Sequence, residues 1–505
     1  MLSSIKPKLQ MLLCFASTVA FSVICHGYRY FNLSFSGDAT LISQTGEELY
    51  QVSLGRFLQP IWWIIRGPIV APFLIGLFTV LFLSFSAYLI SELFQLKSPL
   101  SILFISGILT ASETIGVANA TYLPWSDVYT VSLFFSLLGA KLSLSSKKVF
   151  LLSPVCYLIS HGLYQSYITC AASIIVIVLL CDSIKQRRSV NEIWCLGLRS
   201  CLLLFLGLLL YAFILKSVLF LLGVTASTDY NGVGRVGMVS LKEASALMKE
   251  AYSTPVRFLF NPADRAIMPW HISAIPVWIN WLFLLAVIVL VLLSKPDNNY
   301  RLTICFLLAI LPIASNYVMI ISKGILNGLM IYAWSFFYMI PIALLDDNRI
   351  SFQLYLQKPI FLLVSLLLLK NSVNCNQIYI KRDLEFAATQ SAFTRILDRF
   401  ESNGSYISGI TPVVVSGMLP SSPLSMNRNG FEELSKLQGM RYTYGAAYET
   451  SEYWYLTMIL GAKINLVPHE ERAQLIRSYH IDERLGHYPD ESSVQMIDEK
   501  LFIRF

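Results

Sequence analysis

The sequence predicts an all-α polytopic membrane bundle of about eleven transmembrane helices, followed by a small C-terminal α/β domain. Three observations carry that prediction. Of the 505 residues, 55% are hydrophobic and only 14% charged, and the mean hydropathy is +0.60. A soluble surface needs about a quarter of its residues charged, so most of this chain must face lipid. The apolar residues gather into runs of roughly 17 to 25, the length that crosses a hydrocarbon core of about 30 Å, with shorter runs tolerated inside a bundle. The basic residues fall into the gaps between those runs. Together these features exclude a secreted enzyme, a nucleic-acid binder and a disordered scaffold.

The first run, 11–27, follows Lys6 and Lys8 and has the outline of a signal peptide, with Ser17, Thr18 and Ala20 in its interior. Because more spans follow directly, it reads as an uncleaved signal anchor. Runs at 69–94, 98–113, 127–143, 148–162 and 166–182 come next, then five more at 196–223, 271–294, 302–322, 326–345 and 358–373. With the amino terminus in the cytoplasm, Lys97, the Lys141, Lys147 and Lys148 cluster, the Lys185, Arg187 and Arg188 cluster, Lys295 with Arg301, and Arg349 with Lys358 all fall on the cytoplasmic side. The loops 113–126 and 162–166 carry no Lys or Arg, as the positive-inside rule requires of the outer side. The net charge of +7 and pI near 8.8 are therefore topological and call for no nucleic-acid partner. An odd number of spans leaves the polar tail outside, giving a membrane domain over 1–373 and an outer domain over 374–505. Eight of the nine cysteines lie in or beside apolar runs and only Cys375 in the tail, so no disulfide is expected there. No CxxC spacing points to a metal.

Two outer loops, 28–68 and 224–270, are long enough to build a site. The first opens with Tyr28, Arg29 and Tyr30 and closes with Trp62, Trp63 and Arg66, which suits a helix lying along the membrane surface. The second holds a turn-rich stretch, Asp229 to Gly237, and an amphipathic run from Leu241 to Tyr252. In the tail, helical patterns near 384–401, 451–463 and 469–479 alternate with strand-like Thr411–Ser416 and Lys500–Phe505. A tail of roughly 130 residues is large enough for its own core.

Acidic residues are scarce, so their placement is informative. Asp38 sits in Phe35-Ser36-Gly37-Asp38-Ala39, followed in the same loop by Glu47, Glu48 and Arg56. Glu113 and Asp127 bracket the next outer loop, which contains Tyr122 and Trp125. A charge at the bilayer centre costs about 2.5–3.5 kcal/mol, so both belong at the outer boundary, and two or three carboxylates converge on one face. The structural alternatives are a helix-starting carboxylate for Asp127 and a turn residue for Asp38. His161, Tyr164 and Gln165 form a polar group at the outer end of a span, and an unpaired polar group there is costly. Asp264, Arg265 and His271 can serve phosphate or sugar, although a loop ion pair explains the first two equally well.

Three motifs in order carry a resemblance. Leu54-Gly55-Arg56-Phe57-Leu58 closes the acidic first outer loop, Trp125-Ser126-Asp127 opens the fourth span, and Leu163-Tyr164-Gln165-Ser166-Tyr167 opens the sixth. Over about residues 20–400 the chain resembles the serotype-converting O-antigen glucosyltransferases, a bacteriophage-type family, and through them the wider GT-C-like group of polytopic glycosyltransferases. The resemblance implies an inner-membrane enzyme with a periplasmic C-terminal domain. It would take glucose from undecaprenyl phosphate glucose and pass it to a hydroxyl of a lipid-linked O-antigen repeat. Where the family pattern implies paired acidic residues, Gly37 here precedes the single Asp38. Asp38 is therefore the expected general base. Arg29, Glu47, Arg56, Glu113, Tyr122, Trp125, Asp127, His161, Tyr164, Gln165 and Arg265 are expected around the substrates, with the cations stabilising the leaving phosphate. A lipid phosphate is already a competent leaving group, so no cofactor is required; a divalent metal such as Mg is compatible with the chemistry but not indicated.

Two rival readings share this hydropathy. A transporter or flippase of lipid-linked sugar would carry ionisable groups at the bilayer midplane, whereas Glu92, Arg199 and Lys216 lie within a turn or two of span ends. A non-catalytic assembly or receptor factor would use the tail as its binding part.

Overall fold

The computed structural model describes residues 6–35, 47–227, 241–263, 275–321, 324, 326–346, 353–417 and 455–505. The described chain is mostly helical, with a small sheet near its C-terminus. It divides into two compact units: one of 6–33 and 47–376, the other of Ser34, Phe35 and the described residues from Gln377 to Phe505.

In the first unit the helices are α1 (Pro7–Phe31), α2 (Glu47–Ser53), α3 (Gln59–Arg66), α4 (Pro72–Leu93), α5 (Pro99–Thr110), α6 (Glu113–Thr121), α7 (Leu123–Ser143), α8 (Ser153–Leu163) and α9 (Ile168–Ile184). There follow α10 (Val190–Leu222), α11 (Leu241–Phe260), α12 (Val277–Ser294), α13 (Asn298–Asn316), α14 (Met339–Leu345) and α15 (Gln353–Glu401), the last of which runs on into the second unit. Proline stands at the first or second position of α1, α3, α4, α5, α7 and α8. Its fixed φ suits a helix start, and the N–H it lacks would be unpaired there anyway. A capping box of Ser189 and Glu192 opens α10, and Gly223, left-handed at φ 63°, closes it.

Among the described residues, eight helical segments are long and apolar enough to cross a membrane: α1, α4, α5 with α6, residues 165–184, α10, α12, α13 and α15. The other three expected runs are also helical but do not meet that description. Residues 148–163 and 332–345 are short, and α7 carries Asp127 and Lys141 among its hydroxyl side chains. The expected surface helix of the first outer loop is two short ones, α2 and α3. Burial orders the bundle. The apolar window of 165–184 is 94% buried, whereas those of α10, α12 and α13 are only 17%, 28% and 28% buried. Phe205, Phe213, Phe220, Trp278 and Trp281 point outward from this periphery. So broad an apolar exterior is the signature of a surface solvated by lipid.

The helix ends sort onto two opposite faces. At one, Arg187 Nη1 donates to Phe94 O (3.3 Å), Lys185 Nζ to Ala343 O (2.7 Å), Tyr300 Oη to Arg188 O (3.0 Å) and Arg199 Nη2 to Ser145 O (2.7 Å). Lys141 pairs with Glu92 on the same side. At the other face the ends of α1, α6 and α8 meet α3 and the loop before it, as Arg29 Nε donates to Asn119 O (2.9 Å) and Gln59 Nε2 to Leu163 O (2.7 Å).

In the second unit four strands, β1 (Pro412–Ser416), β2 (Asn465–Leu466), β3 (Val494–Ile497) and β4 (Lys500–Arg504), lie in the order β2-β1-β4-β3. β1 is parallel to β2 and β4, and β3 is antiparallel to β4. Both sheet faces are covered, so the inner strands read as nearly unbroken apolar runs. Val413, Val415, Leu501 and Ile503 pack with Phe393, Ile396 and Phe400 of α15, while Val414 and Phe502 pack with Ile481 and Leu485. The predicted strands at 411–416 and 500–505 and the helix near 469–479 are present as β1, β4 and His469–Ser478. Of the helix expected over 451–463, the described part is one π-helical turn, Tyr455–Ile459.

Candidate functional site

The motif Leu54–Leu58 builds the first cluster. Gly55 has φ +82°, and a Cβ there would lie 2.7 Å from Gln165 Nε2 and collide with the Tyr211 hydroxyl, so only glycine fits. The backbone of this turn is pinned from three helices. Gln165 Nε2 donates to Leu54 O (2.8 Å), Tyr211 Oη to Gly55 O (3.0 Å), and Leu58 N to Gly162 O (3.0 Å). Arg56 then has little freedom. Its guanidinium lies 5.1 Å from the centre of the Tyr164 ring, and Nη1 donates to Gln51 Oε1 (3.1 Å). Gln51 passes the contact on, its Nε2 donating to Glu47 Oε1 (2.7 Å). The His161 ring stacks obliquely on Tyr211 at 5.0 Å, and its Nδ1 is buried with no hydrogen-bond partner among the described residues. Tyr164 continues into an aromatic group with Tyr129 (4.6 Å) and Tyr167 (5.4 Å). Glu47, Arg56, His161, Tyr164 and Gln165, far apart in sequence, thus meet as one assembly of a cation, a carboxylate and ring faces.

Asp127 occupies a second cluster and is already engaged. Arg66 Nη1 pairs with its Oδ1 at 3.1 Å, Trp62 Nε1 donates to Oδ2 at 2.8 Å, and the Val128 N–H donates to Oδ1 at 3.0 Å. Arg66 also donates to Pro124 O (2.8 Å). Both side chains are almost wholly buried, so the pair clamps α3 to the start of α7. Trp125 packs between Trp63 and Tyr122 beside it. Arg29, fully buried, spends Nε on Asn119 O, and Asn119 accepts from Ser126 Oγ at 2.6 Å, which ties α1 to the same region.

Glu113 stands elsewhere, in the first turn of α6, in a small cleft with Ser112, Trp334, Tyr338 and Asn371. Asp38, Asp264, Arg265 and His271 lie outside the described residues. No group of three or more His, Cys, Asp or Glu side chains able to hold a metal ion occurs among the described residues.

The family model described as glucosyl transferase GtrII matches residues 27–345, well over half of the chain. The chain belongs to the GtrII glucosyl transferase family. No curated protein and no solved structure matches it. As a glucosyltransferase of this family it handles a sugar donor and an acceptor. Both clusters, Glu113 and Asp38 lie within the matched stretch, whereas Asn371 of the Glu113 cleft and the C-terminal unit from Gln377 lie outside it.

Sequence reasoning on this glucosyltransferase missed Arg66 and Trp62 as the partners of Asp127, and Tyr211 as the anchor of the Gly55 turn. The first was within reach: Trp62 and Arg66 are four residues apart, on one face of a short helix, and that face needed a buried acceptor. Nothing local marks Tyr211, one aromatic in a long apolar run.

Proposed function

We propose that this glucosyltransferase transfers glucose from undecaprenyl phosphate glucose to a hydroxyl of a lipid-linked O-antigen repeat, at the periplasmic face of the bacterial inner membrane and with inversion at the anomeric carbon. The observation that carries the reading is the fixed Arg56. Its guanidinium is held against Tyr164 by a turn that three helices pin, in the same stretch of sequence between α1 and α4 as Asp38 and at the face opposite the basic one. The segregation of Lys and Arg supports an inside amino terminus, and the regular alternation of helix ends between the two faces supports eleven crossings and an outer C-terminal domain.

The acceptor hydroxyl attacks the anomeric carbon as its proton passes to the Asp38 carboxylate. The bond from that carbon to the phosphate oxygen breaks with its electron pair leaving on the phosphate. Arg56 meets that developing charge in a preorganised setting. One displacement inverts the centre. Tyr164, Tyr122 and Trp125 offer ring faces for sugar, and Arg29, Glu47, Glu113, Asp127, His161, Gln165 and Arg265 position the substrates or the segments that hold them. Family membership favours chemistry over the transporter reading. Incubating the purified protein with labelled polyprenyl phosphate glucose and a lipid-linked acceptor should move label between the two lipids. Translocation of the donor without any transfer would sink the proposal.

A further inference from the structure

The basic face of the bundle holds a polar cavity of about 460 Å³, lined by Gln95, Lys97, Asp182, Gln186, Arg187, Arg188 and Glu192. It is set among the end of α4, the start of α5, the end of α9 and the start of α10. Its three cations, Lys97, Arg187 and Arg188, outnumber its two carboxylates, Asp182 and Glu192. The buried Asp182 holds two guanidiniums, Arg188 Nε at 2.8 Å and Arg187 Nη1 at 3.8 Å, and so neutralises one. Glu192 is tied to the N-cap of α10, accepting from Ser189 N (3.0 Å) and Ser189 Oγ (3.2 Å). Lys97 lines the same cavity and makes no ion pair among the described residues. The two glutamines end α4 and α9 in left-handed conformations, φ 55° and 50°, which fixes the walls where helices would otherwise fray. Cation clustering between helix ends satisfies the positive-inside rule anywhere on this face, but it does not require a walled recess with fixed guanidiniums. Such recesses suit lipid head groups.

We infer that this recess, formed by Lys97, Arg187 and Arg188 around Asp182, binds a phosphate ester. The phosphate oxygens accept from Lys97 and from Arg188, which Asp182 orients through its Nε, while Phe94 O and the more distant Asp182 keep Arg187 in place, and an ester substituent extends towards the open side. The inference is independent of the proposed donor and acceptor. The chemistry is shared by an anionic phospholipid head group and a soluble phosphate, and the test separates them. Full-length protein in detergent is stripped of lipid and titrated with phosphatidylglycerol or phosphatidylcholine, read by native mass spectrometry, with inorganic phosphate as competitor. Phosphatidylglycerol should be retained at least tenfold more tightly than phosphatidylcholine, and Lys97→Ala/Arg188→Ala should erase that preference. Resistance of the adduct to millimolar phosphate supports the lipid source, and displacement by phosphate supports the soluble one. Equal retention of the two lipids by the native protein, or an unchanged preference in the double variant, would overturn the inference. Lys97→Glu alone, at a half-buried position, keeps the test decisive if the double variant does not fold.

Discussion

Replacing Asp127 by alanine asks whether this carboxylate serves structure or substrate. The substitution strands the Arg66 guanidinium, the Trp62 N–H and the Val128 N–H, which now meet the carboxylate at 3.1, 2.8 and 3.0 Å in an almost wholly buried setting. Removing one partner of a buried ion pair costs about 3–5 kcal/mol, because the other charge stays behind uncompensated. At the 2–4 °C per kcal/mol typical of medium-sized domains, the melting midpoint should fall by roughly 6–20 °C. Removing both charges together behaves differently. Arg66→Met/Asp127→Leu strands no charge and leaves the Pro124 carbonyl and the Trp62 and Val128 N–H groups to find new partners, and should lie within about 1–3 kcal/mol of the native protein. Melting of detergent-purified protein followed by size-exclusion fluorescence reads all three, with transfer activity measured on the folded fraction. If Asp127→Ala melts within a degree of the native protein while transfer is lost, the carboxylate addresses substrate and the clamp argument is wrong.

Asp38→Asn should abolish transfer with insertion and abundance intact; full activity would remove Asp38 as the base. Arg56→Ala should weaken donor use by one to two orders of magnitude, on the scale of about 1.5–3 kcal/mol for a hydrogen bond to a charged group, and an unchanged donor KM and kcat would assign the phosphate to another cation. Gly55→Ala should cost activity and stability together, since the new methyl meets Tyr211 and Gln165 on a left-handed backbone; a native melting curve would contradict the pinned turn. In the α7–α8 seam, a Cβ on Gly139 would lie 2.7 Å from Tyr157 Cδ1, so Gly139→Ala should destabilise by about 1–3 kcal/mol in the same melting assay.

The bundle was legible because lipid imposes a coarse code: every apolar run that the sequence offered is helical over most of its described residues, and the basic gaps between runs collect at one face. Finer features escaped where the cause is non-local. β2 is two residues and β3 four, each a strand only because β1 or β4 lies beside it. Asp127 was expected at the outer boundary, and the partner that engages it sits 61 positions earlier. The site motifs were readable as words, Leu-Gly-Arg-Phe-Leu and Tyr-Gln-Ser-Tyr; that the first closes on the second through Leu54 O and Gln165 is tertiary information. A face shared by Arg56, His161 and Tyr164 could be guessed from alternation of spans, and the stacking that joins them could not.

The order β2-β1-β4-β3 carries a temporal consequence. β1 emerges from the ribosome nearly ninety residues before β4, the interior strand with which it shares its longest ladder. Until residue 504 has been synthesised and delivered, Val413 and Val415 lack Leu501 and Ile503. Vectorial synthesis therefore completes the helical bundle first and leaves a parallel edge exposed, a period in which chaperone protection of this segment matters most.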